Sequence, residues 1–253
     1  MREKYEAWRS SKSDLKPGDS RIVSRWDQFV RGAGKAKDAG PDILDAVRAW
    51  QCNKCAWCES VEPETIDHVA PKVQFPDVMF NWDNILASCG DCNNARSHHN
   101  FDFNHLLVPT RDEPLKHFRW EMGSGACIYD PSDLRAKDTW TVFIQARYQH
   151  ERLLKLVRVR TFFAFLVGDR YIEETLARLK EELDPRRPYL CILRSWLLHP
   201  PNEDERDLRD RGFAKEPCLI DCVRPWLNPG EGCSWQLISG KCEKGSIHRG
   251  GPG

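Results

Sequence analysis

The sequence predicts an α+β fold, mostly helical, with one small strand–strand–helix unit set between flanking helices. Three observations carry this. Two C-x-x-C pairs, Cys55–Cys58 and Cys89–Cys92, are separated by 30 residues. Between them, residues 64–69 (ETIDHV) and 82–88 (WDNILAS) read as short strands, the first ended by Pro71. Beyond residue 145, long stretches carry apolar residues at helical spacing.

Residues 1–20 are polar, with Pro17 and Gly18, and are expected to form an arm. Ile22, Trp26, Phe29 and Val30 then fall at helical spacing. Residues 31–40 form a linker of small residues and lysine. Pro41 suits the start of a second helix, with Ile43, Leu44, Val47 and Trp50 on one face, leading into the first cysteine pair. Cys92 onward opens a helix through Asn94, Ala95 and Arg96. Further helices are expected over 145–167, with Leu153, Leu156 and Val157 on one side, and over 171–183, stopped by Pro185 and Pro188. Another is expected over 189–198. Phe162, Phe163, Phe165 and Leu166 read as core. The charge run 202–211 reads as a solvated loop, and the last 35 residues, rich in Gly, Pro and Cys, show no period. The resulting division is an N-terminal arm and helices (1–49), a compact core (50–110) and a helical region for partner or substrate recognition (111–253).

At 253 residues the chain can bury a proper core. Its 38 basic and 38 acidic residues cancel, so any nucleic-acid contact must come from a local basic patch or a partner. The longest apolar stretch, Thr161 to Val167, is far too short to span a bilayer. The first residues show no apolar signal segment, so a cytoplasmic protein is the expectation. In that compartment thiols stay reduced, and clustered cysteines suggest metal before disulfides.

Two C-x-x-C turns can supply four thiolates to one tetrahedral Zn2+, leaving no open position and so making the metal structural. Cys52-x-x-Cys55 is a second legal register, with Cys55 and Cys58 preferred. An iron–sulfur run would need Cys where Glu62 stands. A zinc deaminase would need H-x-E and P-C-x-x-C, and here Ser88 precedes Cys89. Gly32, Gly34 and Lys35 do not make a phosphate loop, because Phe29 and Ala36 stand at the required Gly and Ser/Thr positions. Arg147, Lys155 and Arg158 share a helix face that could track phosphates, although an ordinary solvated face is favoured. Cys218, Cys222, Cys233 and Cys242 could form a second metal site or remain free thiols.

The pieces between the knuckles occur in a definite order: Ile66-Asp67-His68-Val69-x-Pro71-Lys72, then Asn81-Trp82-Asp83-Asn84-Ile85-Leu86, then Cys89-x-x-Cys92-Asn93-x-x-Arg96. This arrangement resembles the zinc-knuckle form of the HNH endonuclease family, whose core is a ββα-metal unit. In finer detail the C-A-W-C-E and D-H-x-x-P-K spellings resemble the HNH nuclease subunit of Septu and retron anti-phage defence systems. Those subunits work beside an ABC-type ATPase.

The resemblance implies a metal-dependent endonuclease acting on DNA, with RNA open, and leaving a 5′-phosphate and a 3′-hydroxyl. It implies His68 as general base, a task that a neutral imidazole suits. Asp67 and Asn93 would hold a hard cation, Mg2+ or Mn2+. Asn93 stands where the family commonly has His. Asn84 would hold the loop that aims His68, while Lys72 and Arg96 would contact phosphate. His98 and His99 could touch metal or substrate, with a solvated helix end favoured. The alternative is a zinc-stabilised binding module whose nuclease site is inert.

Overall fold

The structure, a computed structural model, describes residues 15–30, 39–97, 105–108, 111–144, 148–184 and 186–227. Most of the N-terminal arm, most of the Gly–Lys linker, His98, His99, Arg147, Cys233 and Cys242 lie outside the described residues. The fold is α+β and mostly helical. Helices α1 (Arg21–Val30) and α2 (Ala39–Trp50) precede strands β1 (Thr65–His68) and β2 (Ile85–Ser88), and α3 (Gly90–Ser97) follows directly. Strands β1 and β2 pair antiparallel, with Asp67 opposite Leu86 and His68 opposite Ile85.

All four residues of β2 are buried. Successive side chains of a strand point to opposite faces. Ile85 and Ala87 therefore pack with Ile22, Trp26, Ile43, Val47, Met79 and Phe80, and Leu86 joins the larger core that holds the cysteines and the C-terminal helices. Gln51, at the end of α2, fixes this strand laterally. Its amide nitrogen donates to the carbonyls of Lys54 (3.0 Å) and Ala87 (2.9 Å), and its oxygen accepts from Ala87 N–H (2.8 Å). Helix α3 begins at Gly90, two residues earlier than the sequence suggests. Glu64 caps it, its Oε1 accepting from Gly90 N–H at 2.7 Å, where an acceptor also complements the helix dipole. A β-carbon at position 90 would lie only 2.9 Å from that oxygen.

The second half holds β3 (Phe118–Trp120) paired with β4 (Cys127–Tyr129), then α4 (Leu134–Thr139), a π-helical turn, α5 (Gln149–Val167), α6 (Ile172–Glu182), α7 (Leu190–Leu198), α8 (Glu203–Lys215) and α9 (Cys218–Leu227). Helix α5 is central, packed on α6, α7 and α8. Its buried side is Leu156, Val159, Phe163 and Leu166, together with Arg152 and Lys155.

Several expectations are corrected here. Leu156 is buried, but Val157 is exposed, so the apolar stripe is rotated from the one expected. The proposed phosphate track fails at Lys155. This residue is buried, and its Nζ donates to the Glu182 carbonyl and Oε2, each at 2.5 Å, closing the C-terminus of α6. Arg158 pairs with the same carboxylate. The charge run at 202–211 is helical, not a loop. Asn202 caps α8 by accepting from Glu205 N–H at 2.9 Å, and three acids fill the first turn. Its inward side contains Gly212, where a β-carbon would meet the Phe163 ring at 2.4 Å, and Glu205, which accepts from Trp196 Nε1 at 2.8 Å and pairs with Arg160. Only Leu208 and Phe213 mark its inward side in hydropathy, too few for a stripe to read. The start of the tail is also helical, with Leu219 and Val223 of α9 buried at i,i+4. Among the described residues, no helix is long and apolar enough to cross a membrane.

Gln51→Ala would take a partner from three buried backbone groups, leaving the Lys54 carbonyl and the Ala87 N–H without this bond while the Ala87 carbonyl keeps Ala56 N–H. We expect a loss of about 2–4 kcal/mol of unfolding free energy in urea titration with zinc present. A loss below about 0.5 kcal/mol, the range of an ordinary surface change, would refute the bracing role.

Candidate metal centre and the buried Asp67–His68 pair

The four cysteines arrive from two directions. Cys55 and Cys58 lie in the turn after α2, closed by Cys55 N–H donating to the Ser60 carbonyl at 2.7 Å and by Glu59 N–H donating to the Cys55 carbonyl at 3.1 Å. Glu59 takes the left-handed backbone conformation that this reversal requires. Ala56 N–H donates to the Ala87 carbonyl at 3.0 Å, joining the knuckle to β2. Cys89 ends that strand, and Cys92 sits in the first turn of α3. The four sulfurs all lie within 4.8 Å of one another, with Cys58 and Cys89 at 3.8 Å. Cys52 is buried nearby, but it is not one of the four, which settles the register on Cys55 and Cys58.

Protons shared with neighbouring thiols, reinforced by burial, hold Cys58 and Cys92 well above the usual thiol range. Four thiolates therefore need a cation to coexist. The donor set fits a closed, structural Zn2+.

Behind this centre lie Asp67 and His68, both buried on β1. Asp67 Oδ2 accepts from Trp57 Nε1 at 2.9 Å, and Trp57 is a residue of the knuckle itself. Asp67 Oδ1 accepts from His68 N–H at 2.7 Å and from Arg96 of α3 at 2.9 Å. Arg96 also donates to the Val69 carbonyl. His68 turns its Nε2 to the Met79 carbonyl at 3.0 Å, and the Trp26 ring meets its edge with centroids 4.2 Å apart. A carbonyl only accepts, so Nε2 carries the proton and Nδ1 keeps a lone pair. Burial, followed by the charges of Lys72 and Arg96, lowers the imidazole pKa from 6.5 to about 3.

Asn84 holds the intervening loop at both ends. Its Oδ1 accepts from Ala70 N–H at 2.6 Å, and its Nδ2 donates to the carbonyls of Ala70 (3.2 Å) and Val78 (3.0 Å). The last of these adjoins the Met79 carbonyl that holds His68. Asn93 lies one residue past the last cysteine on α3, half-buried. Lys72 places its Nζ 5.9 Å from the centroid of the Trp26 ring.

The structure thus brings together Asp67, His68, Asn84, Lys72 and Arg96. It places Arg96 on Asp67 rather than at an open surface. Sequence reasoning missed Trp57, Gln51 and the Met79 carbonyl. An aromatic residue inside a C-x-x-C is visible as such, but nothing in the spacing shows that its N–H reaches a carboxylate ten positions on.

The site thus defines the chain as one with a four-cysteine cluster that could hold a metal ion, tied through Trp57 to a buried carboxylate–imidazole pair. Over 84 residues the chain is 33% identical to the Septu protein PtuB of Bacillus thuringiensis, a stretch covering 31% of this chain and 33% of that protein. The chain therefore spans about a third of the length of the curated relative that it matches, a distant relation. No family model and no solved structure matches it.

Cys55→Ser should abolish stoichiometric zinc in elemental analysis, and Cys52→Ser should keep it. Equal retention by both variants would refute the four-sulfur assignment. A second expectation concerns acid. The folded chain refuses a proton that the unfolded imidazole accepts below its pKa of 6.5, so stability is complete above that pH and declines as pH falls toward about 3. His68→Asn should flatten the dependence of unfolding free energy on pH across that window, and an unchanged slope would count against the buried neutral imidazole.

Proposed function

We propose that the chain is a metal-dependent endonuclease of the HNH type, hydrolysing phosphodiester bonds in nucleic acid, with DNA as the favoured substrate. The observation that carries this reading is the bracket from Asn84 to the 70–79 loop, which fixes a neutral imidazole beside a carboxylate, directly behind a four-thiolate zinc site. In this reading His68 takes a proton from the attacking water through Nδ1. Neutrality keeps that lone pair available. Asp67 and Asn93 would hold Mg2+ or Mn2+, whose charge would stabilise the phosphate oxygens when bound.

Asp67 Oδ1 now faces a guanidinium. In this reading Asp67 would exchange its Arg96 partner for the cation, and Arg96 would be the first candidate for phosphate contact. Lys72, at the Trp26 edge, is the second candidate for phosphate contact. Trp26 packs edge-on against the imidazole, which is buried.

The relation to a Septu protein supports an effector role in anti-phage defence, acting in the cytoplasm with an ABC-type ATPase partner. The balanced charge of the chain agrees with recruitment of substrate through a partner. A second reading, a zinc-stabilised binding module with an inert nuclease site, draws support from the occupied Asp67 and the covered His68.

His68→Ala separates the two readings. We expect it to retain zinc and to lose Mg2+-dependent DNA cleavage by about 10²–10⁴-fold, the usual contribution of a general base. Cleavage at the wild-type rate would reject His68 as the base. Wild-type protein that cuts neither alone nor with its co-purified partner would favour the inert module.

A further inference from the structure

We propose that Trp57 is a positioning residue, through which the zinc knuckle orients the Asp67 carboxylate for a divalent metal ion. The proposal rests on the nuclease reading for its purpose, and on the geometry of this chain for its content. Among the described residues, three donors reach Asp67. Two are built into the framework: the His68 backbone N–H on Oδ1, and the Trp57 indole on Oδ2. The third is the side chain of Arg96.

Trp57 is almost wholly buried, and it lies between Cys55 and Cys58 in a turn tied to β2 through Ala56. The indole cannot leave without dismantling that turn. Arg96 reaches in from the last turn of α3 on a long flexible side chain, 10% exposed, that also bonds the Val69 carbonyl, whereas the other two donors are a backbone N–H and an indole in the knuckle turn. It is therefore the donor that can be exchanged. Trp57 occupies Oδ2 and fixes the plane of the carboxylate, so that Oδ1 faces the cation position now held by the guanidinium. Asp67 would then offer Oδ1 rather than Oδ2 to a cation. Hydrogen bonds to a ligating carboxylate of this kind set its orientation, and losing one weakens metal binding about ten- to a hundredfold. The zinc turn then both braces the fold and aims a ligand of the second metal.

The test is Mn2+ binding by electron paramagnetic resonance to the zinc-loaded full chain, comparing wild type with Trp57→Phe. The phenyl ring keeps the apolar contact and removes the N–H. We expect one zinc per chain in both proteins and at least a tenfold weaker Mn2+ Kd in the variant. Equal Kd values would overturn the proposal. If Trp57→Phe loses zinc, the benzothienyl analogue of tryptophan at position 57, which replaces only N–H by sulfur, serves for the same comparison with the same two outcomes. Wild-type protein that binds no Mn2+ at millimolar concentration would overturn the proposal and the ligand role of Asp67 together. Wild type that binds Mn2+, with the variant binding it tenfold more weakly, but that cuts no DNA, would support the positioning role and overturn only the nuclease reading.

Discussion

Strand β2 carries the constraint on which the site depends. Its four residues are buried on both faces, so its position is set from two sides at once. Ile85 and Ala87 are held by the N-terminal helices, and Leu86 by the larger core. Gln51 and Ala56 both bond to Ala87, and Cys89 continues from the strand's end into the sulfur cluster. Displacing β2 would unpair β1, and β1 carries Asp67 and His68. The sulfur cluster and the buried pair are therefore two ends of one rigid piece.

Charge within that piece is handled by pairing. A buried carboxylate without partners would be costly. Asp67 meets three donors, one of them a guanidinium. The imidazole is handled differently. It stays neutral, held by a single carbonyl and covered by an indole edge. The two neighbours on β1 thus occupy opposite electrostatic situations, an anion fully compensated and a base kept uncharged.

The sequence made this region legible because its chemistry depends on spacing. Two C-x-x-C turns and the two strands between them are local patterns that reappear in the structure, except that residues 82–84, read as the start of the second strand, form a 3-10 turn and the strand begins at Ile85. The misses have physical reasons. The pair β3 and β4 is only three residues long on each strand, too short for an alternation to register. Helix α8 buries a glycine and a glutamate, so hydropathy could not reveal it. Lys155 reads as a surface cation because no sequence rule shows that Glu182 will be waiting for it. Trp57 was visible in the knuckle, but its role depends on a side-chain bond between two elements, and such a bond is a property of packing.

The knuckle also reaches outward. Glu59, the residue after Cys58, accepts from the backbone N–H of Cys191 at 3.1 Å, at the start of α7. Cys55, Trp57 and Leu86 share one continuous core with Phe163 and Trp196. One face of the cysteine-held unit closes on the N-terminal helices, and the cysteine turn itself is covered by helices that come a hundred residues later, so the unit is not a portable cassette. In a chain arranged this way the cysteine-bearing turn and the helical half must change together.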